Sequence, residues 1–276
     1  MAAHHGVVHS QSRRRSMNEA ELESPGDQLR HWRQVRRMSQ LDLALDAEIS
    51  TRHLSFVETG RSRPSRDMIL LLGDKLNIPL RERNSLLLAA GFAPAYSSRS
   101  FDDPDLAAAR RAVELILKGH EPYPALAVDR HWTMLACNAA VPPMLDGVCP
   151  GLLEPPVNVL RLSLHPDGLA PRIANLGEWK RHLVERLKTQ FAASADPVLA
   201  ELAAELAGYP APPTPHPAEN TGAVFVPLML DAAAGQLRFL STTTVFGSPV
   251  DVTLSEIAVE AFFPADELTA KALHGS

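Results

Sequence analysis

Residues 39–61 read SQLDLALDAEISTRHLSFVETGR, and the placement of capping and apolar residues in this stretch decides the fold of the first part of the chain. Ser39 is a strong N-cap, and Asp42 three residues later makes a capping-box-like start for a helix with Leu41, Ala44 and Ala47 as its inner face. Ser50 is the next N-cap. It opens a helix that buries Leu54 and Val57 before Thr59-Gly60 breaks it. Two helices joined by a short turn need a small residue where their backbones meet, and Ala44 sits there. With about 100° per residue and the core centred between Leu54 and Val57, the residues facing away are Arg52, Ser55 and Phe56, with Thr51 in the first turn.

Working outward, Leu29, Trp32, Val35 and Met38 mark a preceding helix. Pro64-Ser65 starts a fourth, with Met68, Ile69, Leu71 and Leu72 inward, ending near Asn77-Ile78-Pro79. A fifth runs from about Leu80 to Ala90 and is closed by Gly91. Five short helices make residues 25–96 an all-α helix-turn-helix domain, preceded by a disordered tail over residues 1–24. The tail holds His4, His5, His9, the Arg13-Arg14-Arg15 run and an alternative start at Met17.

An α-helix fits the DNA major groove, and side chains of its N-terminal half reach base edges. Arg52 can make a bidentate pair with guanine, Thr51 and Ser55 can bond bases or phosphates, and Phe56 can touch a thymine methyl. Ser50 belongs to the same surface, and Gln40 at a helix N-terminus suits a phosphate. Arg61 and Arg63 in the following loop would position the duplex through phosphates. Phe56 could equally pack on a dimer mate; His53 falls close to the core face, and Glu58 braces the next loop.

The polar stretch 97–104 (SSRSFDDP) reads as a linker. Beyond it, Leu106–Lys118 has helical spacing, and Ala125–Asp129 and Thr133–Asn138 are strand-like around a turn at Arg130-His131. A short helix is expected over Ala139–Leu145, and helices over Trp179–Phe191 and Val198–Ala207, between Pro-rich segments at 154–156 and 210–217. The strand-like runs return at Ala223–Leu230, Gln236–Thr244 and Val252–Phe263. Strands at both ends with helices between them give residues 105–273 as an α+β domain with a mostly antiparallel sheet.

Composition fits a soluble protein of two modules, with 276 residues and 45% hydrophobic side chains. The formal net charge of -5 argues against a nucleic-acid partner only until it is divided. Residues 1–100 carry 15 basic and 11 acidic side chains, and the remainder 12 and 21, so a head of +4 precedes a body of -9. Cys137 and Cys149 form neither a CxxC pair nor a His/Cys cluster, so neither a disulfide framework nor a metal site is expected, and both read as reduced thiols of a cytoplasmic protein. No run reaches the ~20 apolar residues of a spanning helix. His165 with Asp167, the run Ser241-Thr242-Thr243-Thr244, and Ser248 stand in no nucleophile motif. His165-Pro166-Asp167-Gly168 reads as a turn and the Thr run as strand, so no enzyme activity and no cofactor are expected.

The run from Ser39 to Arg61 with Pro64-Ser65 resembles the Cro/C1-type (XRE) helix-turn-helix. One departure is Glu48, which stands where the inter-helix turn usually carries glycine. The longer string RHLSFVETGRSRPSRDMILLLGDKLNIPLRERNSLLLAAGFAPAY is similar to the MmyB-like transcription regulators, as are EPYPALAVDRHW, LHPDGLAPRIANL and FLSTTTVFGSPVDVTLSEIAVEAFFPAD. The resemblance implies a PAS-like ligand-binding C-terminal domain, an apolar, fatty-acid-like ligand and a homodimer on a double-stranded DNA operator. Trp132, Trp179 and Phe246 are then candidate pocket walls, with His165 or Arg172 as anchors for a carboxylate. Each aromatic also reads as ordinary core. Two rivals remain: a metabolite-binding protein or enzyme whose helical module makes protein contacts, and an antitoxin-like DNA binder, against which the 176-residue extension weighs.

Overall fold

The structure is a computed structural model describing residues 24–213, 225–233, 235–247, 249 and 251–274. The expectations placed on residues 1–23, on 214–217, on 223–224 and on Ser248 lie outside the described residues. By contact the chain forms two units: residues up to Leu76 with Ser85–Ala93, and Asn77–Asn84 with Pro94 onward.

The first unit is built from α1 (Pro25–Val35), α2 (Gln40–Asp46), α3 (Thr51–Glu58), α4 (Arg66–Lys75) and the second half of α5 (Leu80–Ala89). Polar caps set the starts. The Ser39 hydroxyl accepts from the Asp42 amide while the Asp42 carboxylate accepts from the Ser39 amide, a complete capping box. Ser50 and Ser65 cap α3 and α4 in the same sense, accepting from the amides of His53 and Met68. After α5 the chain turns at Gly91, whose φ of +85° suits a residue without Cβ, and the Phe92 amide donates to the Leu87 carbonyl at 2.8 Å.

Leu29, Leu43, Leu54, Ile69, Leu72, Leu86 and Leu87 are fully buried and form the centre of this unit. The inner face of α2 differs from expectation. Leu41 is 56% exposed, and Leu43 with Ala44 and Ala47 faces inward, because these three follow the 3.6-residue repeat toward α3 and α4. Leu71 likewise lies at the rim rather than inside. Gly26 permits the close approach of α1 to α3, since a Cβ there would stand 2.4 Å from the Val57 carbonyl oxygen.

The position of α3 against α1 and α2 depends on Glu58, whose side chain is completely buried. Arg33 donates to both carboxylate oxygens, at 2.6 and 2.8 Å, and the Gln40 amide adds a third bond at 2.8 Å. Arg30 stands 3.8 Å from the carboxylate and donates to the Glu58 carbonyl. Burial alone would push the carboxyl pKa up. The hydrogen bonds of Arg33 and Gln40, with the charges of Arg33 and Arg30, outweigh it and hold the group below its ordinary range.

The second unit contains α6 (Ala107–Gly119), β1 (Ala125–Val128), β2 (Met134–Cys137), α7 (Val159–Leu164), α8 (Leu176–Ser194), α9 (Pro197–Gly208), β3 (Leu228–Ala232), β4 (Gly235–Val245), α10 (Val252–Ser255), β5 (Ala258–Pro264) and α11 (Glu267–His274). The strands form one sheet in the order β2-β1-β5-β4-β3 with every pair antiparallel. Alternation along the strands divides the sheet into two faces. Ala125, Ala127 and Val259 pack with Val113 and Leu117 of α6. Leu126, Val128, Leu228, Leu230, Leu237 and Phe239 pack with the helical layer that includes Trp179, Leu183 and Leu187 of α8 and Leu199, Leu202 and Leu206 of α9.

Two sequence readings are corrected by the structure. Val252–Phe263 is not one strand: the Asp251 carboxylate caps the amide of Thr253 at 2.8 Å and turns residues 252–255 into α10 before β5 begins. The short helix expected over 139–145 is a 3-10 turn at Pro142–Leu145, the adjacent prolines lacking the N–H an α-helix needs. Within the second unit the Val252 amide donates to the Ser97 carbonyl, and Arg99 pairs with Asp251 at 3.1 Å. The helices α7 and α11, six and eight residues long, are too short to show a clear repeat in sequence.

Two outcomes follow for the first unit. Glu48 has φ +54°, the left-handed region that disfavours a side chain, so Glu48→Gly is expected to stabilise by up to about 1 kcal/mol, read as a rise of several degrees in melting temperature. Glu58→Ala leaves the largely covered Arg33 guanidinium, 12% exposed, without its carboxylate partner and should cost about 3–5 kcal/mol in urea unfolding. Because the folded Glu58 pKa is depressed, its contribution is present above the ordinary carboxylate value and fades as pH falls through the lower folded value. Acid titration of the wild type against Glu58→Gln should show that difference closing at low pH.

Candidate functional site

The exposed face of α3 is an aromatic ring flanked by cations. The guanidinium carbons of Arg52 and Arg61 lie 5.3 and 5.9 Å from the Phe56 ring centroid, one from the helix and one from the loop after it. Arg52, Arg61 and Arg63 are exposed, while Thr51, Ser55 and Phe56 are half-buried along the same helix. Ser50 is exposed, with its hydroxyl engaged in capping. Gln40 is placed differently from the others, because its amide N–H is directed to the buried Glu58. The side chain therefore links α2 to α3, and the exposed cations nearest the aromatic are Arg52 and Arg61.

The second site lies between the sheet and its helical layer. A cavity with about 90 Å³ of free space is walled by Leu126 of β1, Leu228 of β3, Phe262 of β5, Val159, Leu160 and Leu162 of α7, and Trp179 and Leu183 of α8. Trp132, Met134 and Met144 complete the apolar wall. The indole N–H of Trp179 donates to Ser163 at 3.1 Å and that of Trp132 to Gln190 at 2.9 Å, which fixes both rings. Trp132 has φ +67°, an uncommon conformation for a bulky residue, held by hydrogen bonds of its backbone to Asp129 and Val159.

One end of this cavity is polar. Arg186 donates to both oxygens of Glu260, at 2.6 and 3.0 Å, and to Thr243 at 2.5 Å; the Thr243 hydroxyl in turn donates to Glu260 at 2.8 Å. The register of β4 on β5 sets Thr243 opposite Glu260. The guanidinium lies 4.4 Å from the Trp132 ring centroid. The Glu260 carboxylate is buried, whereas Arg186 is about one-fifth exposed and Thr243 lies at the surface, so this end of the cavity is bounded by a half-buried guanidinium.

Of the five pocket residues expected from sequence, the structure brings Trp132 and Trp179 together on this wall. Phe246 packs instead with Val113 and Leu117 of α6, on the opposite face of the sheet. His165 ends α7 with its ring edge-on to Tyr209 at 5.2 Å, and its Nδ1 accepts from the Asp167 amide. Arg172 lines a separate open groove, where its guanidinium donates to the carbonyls of Met144, Asp146 and Asp231. Arg186 and Glu260 were missed, although both carried a signal. Arg186 continues the stripe Trp179-Leu183, and Glu260 interrupts the apolar strand Ala258–Phe263.

No curated protein matches the chain. Residues 26–86 match the helix-turn-helix domain family, and residues 109–275 match the MmyB-like transcription regulator ligand binding domain. The second match takes in more than half of the chain, including all of β1 to β5 and the whole cavity wall from Leu126 to Phe262. With a helix-turn-helix domain ahead of that ligand-binding domain, the chain belongs to the MmyB-like transcription regulators and is a DNA-binding regulator with a ligand-binding domain.

Proposed function

We propose that this regulator is a cytoplasmic homodimer that reads a two-fold operator with α3 and adjusts its affinity to an apolar, chain-like small molecule held in the cavity under the sheet. The observation that carries the reading is the pair of surfaces: an exposed Arg52-Phe56-Arg61 face on one unit, and an internal apolar cavity with a single polar end in the other. Arg52 reads guanine, Thr51 and Ser55 contact bases or phosphates, Phe56 meets a thymine methyl, and Arg61 and Arg63 neutralise phosphates. Ser50 holds the first turn in place through its cap. Each protomer offers one such face, so a dimer places two of them about one helical turn of DNA apart. The reading assigns no catalysis and no cofactor to the chain.

A ligand that binds one dimer geometry better than another would shift operator affinity, since only a differential affinity for two states moves the balance between them.

The test is selection of bound fragments from random DNA, followed by mobility-shift titration of the selected site. Affinity should fall steeply with salt, and Arg52→Ala should weaken it about 5- to 150-fold while relaxing the preference at one base pair. Arg61→Ala and Arg63→Ala should each weaken all sequences alike and lower the salt slope by about one. A salt-independent complex, or undiminished binding after Arg52→Ala, would sink the DNA assignment. Sedimentation of the free protein and of its operator complex reads the dimer directly.

A further inference from the structure

The polar end of the cavity limits the chemistry of its occupant, an inference that rests on the cavity being the ligand site. Among the lining residues the only charged side chains are Arg186 and Glu260. They are joined by two hydrogen bonds and cancel in formal charge. One turn earlier on α8, His182 stacks near Trp179 at 5.5 Å, and burial first, then the charge of Arg186, holds its imidazole pKa below the ordinary value. It supplies no second cation at neutral pH. The arginine is already committed.

A ligand carboxylate entering here would share one guanidinium with Glu260, placing two anions side by side in an apolar site. Like charges so placed oppose joint ionisation, and the desolvation of a third charge is not offset by a partner of its own. A hydroxyl, carbonyl or amide head brings no net charge and finds hydroxyl partners in Ser241 and Ser163, both on the wall. The free space of about 90 Å³ is well below the ~300 Å³ of an ordinary small-molecule pocket, so a longer body requires movement of the unbranched side chains Met134 and Met144. We propose that the cavity takes uncharged amphiphiles, an apolar body ending in a hydroxyl, carbonyl or amide, and discriminates against fatty-acid anions, with Glu260 setting that preference.

The probes are 1-octanol, octanamide and octanoate, titrated into the full-length protein at neutral pH by calorimetry. The two neutral probes should bind at least tenfold tighter than octanoate. Glu260→Gln, which keeps the shape and frees Arg186, should raise octanoate affinity tenfold or more. Octanoate binding the wild type as tightly as octanol, with both lost in the cavity-filling variant Leu160→Trp, would overturn the charge argument and leave the cavity as ligand site. A wild-type preference for octanol with no gain in folded Glu260→Gln would overturn the role given to Glu260. Should that variant not fold, the wild-type ratio of neutral to anionic probe decides. Absence of binding by all three probes, or binding that Leu160→Trp leaves unchanged, removes the cavity assignment itself and the inference with it.

Discussion

A carboxylate with no water around it must be met by arginine, and each unit of this protein is organised around one such encounter. Glu58 is the end of α3, and its carboxylate gathers Arg33 from α1 and Gln40 from α2. Those bonds fix the rotation of α3 about its own axis, and rotation is what decides which side chains it presents. With Glu58, Leu54 and Val57 directed inward, Arg52 and Phe56 stand on the outer side. The same interaction therefore settles the local core and the exposed face. A hydrophobic residue in place of Glu58 could fill the volume, but it would make no directional demand on two neighbouring helices.

In the second unit the constraint acts on a cavity instead of a surface. Glu260 lies on a strand whose alternate residues, Val259 and Ala261, face α6. Period-two geometry then obliges Glu260 and Phe262 to face the helical layer, where Arg186 on α8 meets the charge. Trp132 lies over that guanidinium, and its left-handed backbone is held by hydrogen bonds with Asp129 and Val159.

Much of the first unit was legible from sequence because its determinants are local. Ser39, Ser50 and Ser65 act within three residues of themselves, and Leu54 and Val57 define a face through a repeat visible in eight residues. Even the strained position was legible, since Glu48 occupies a turn with φ +54°. What escaped was the partner of Gln40: an N-terminal glutamine suits a phosphate on local grounds, and only the fold brings Glu58 to it across 18 residues. The inner face of α2 was misread for a related reason. Seven residues offer Leu41, Leu43 and Leu45 in alternation, and tertiary packing alone selects Leu43.

The cavity was less legible because every part of it is long-range. Trp132 and Trp179 could be picked out as large aromatics, but Phe246, equally aromatic, falls on the other face of the sheet. The choice between them depends on a strand register that no local pattern displays. Arg172 and His165 were natural anchors for an anion when only residue type was considered. In the fold Arg172 spends its donors on three backbone carbonyls, while the cation that reaches the cavity is Arg186, 74 residues from its partner Glu260. A charged residue inside an apolar repeat is the sequence trace of such a pair. Finding one charge predicts that a second lies elsewhere, since neither is tolerable alone. Arg186 within the stripe of α8 and Glu260 within the apolar run of β5 are complementary signals of that kind, and together they mark the polar end of the cavity.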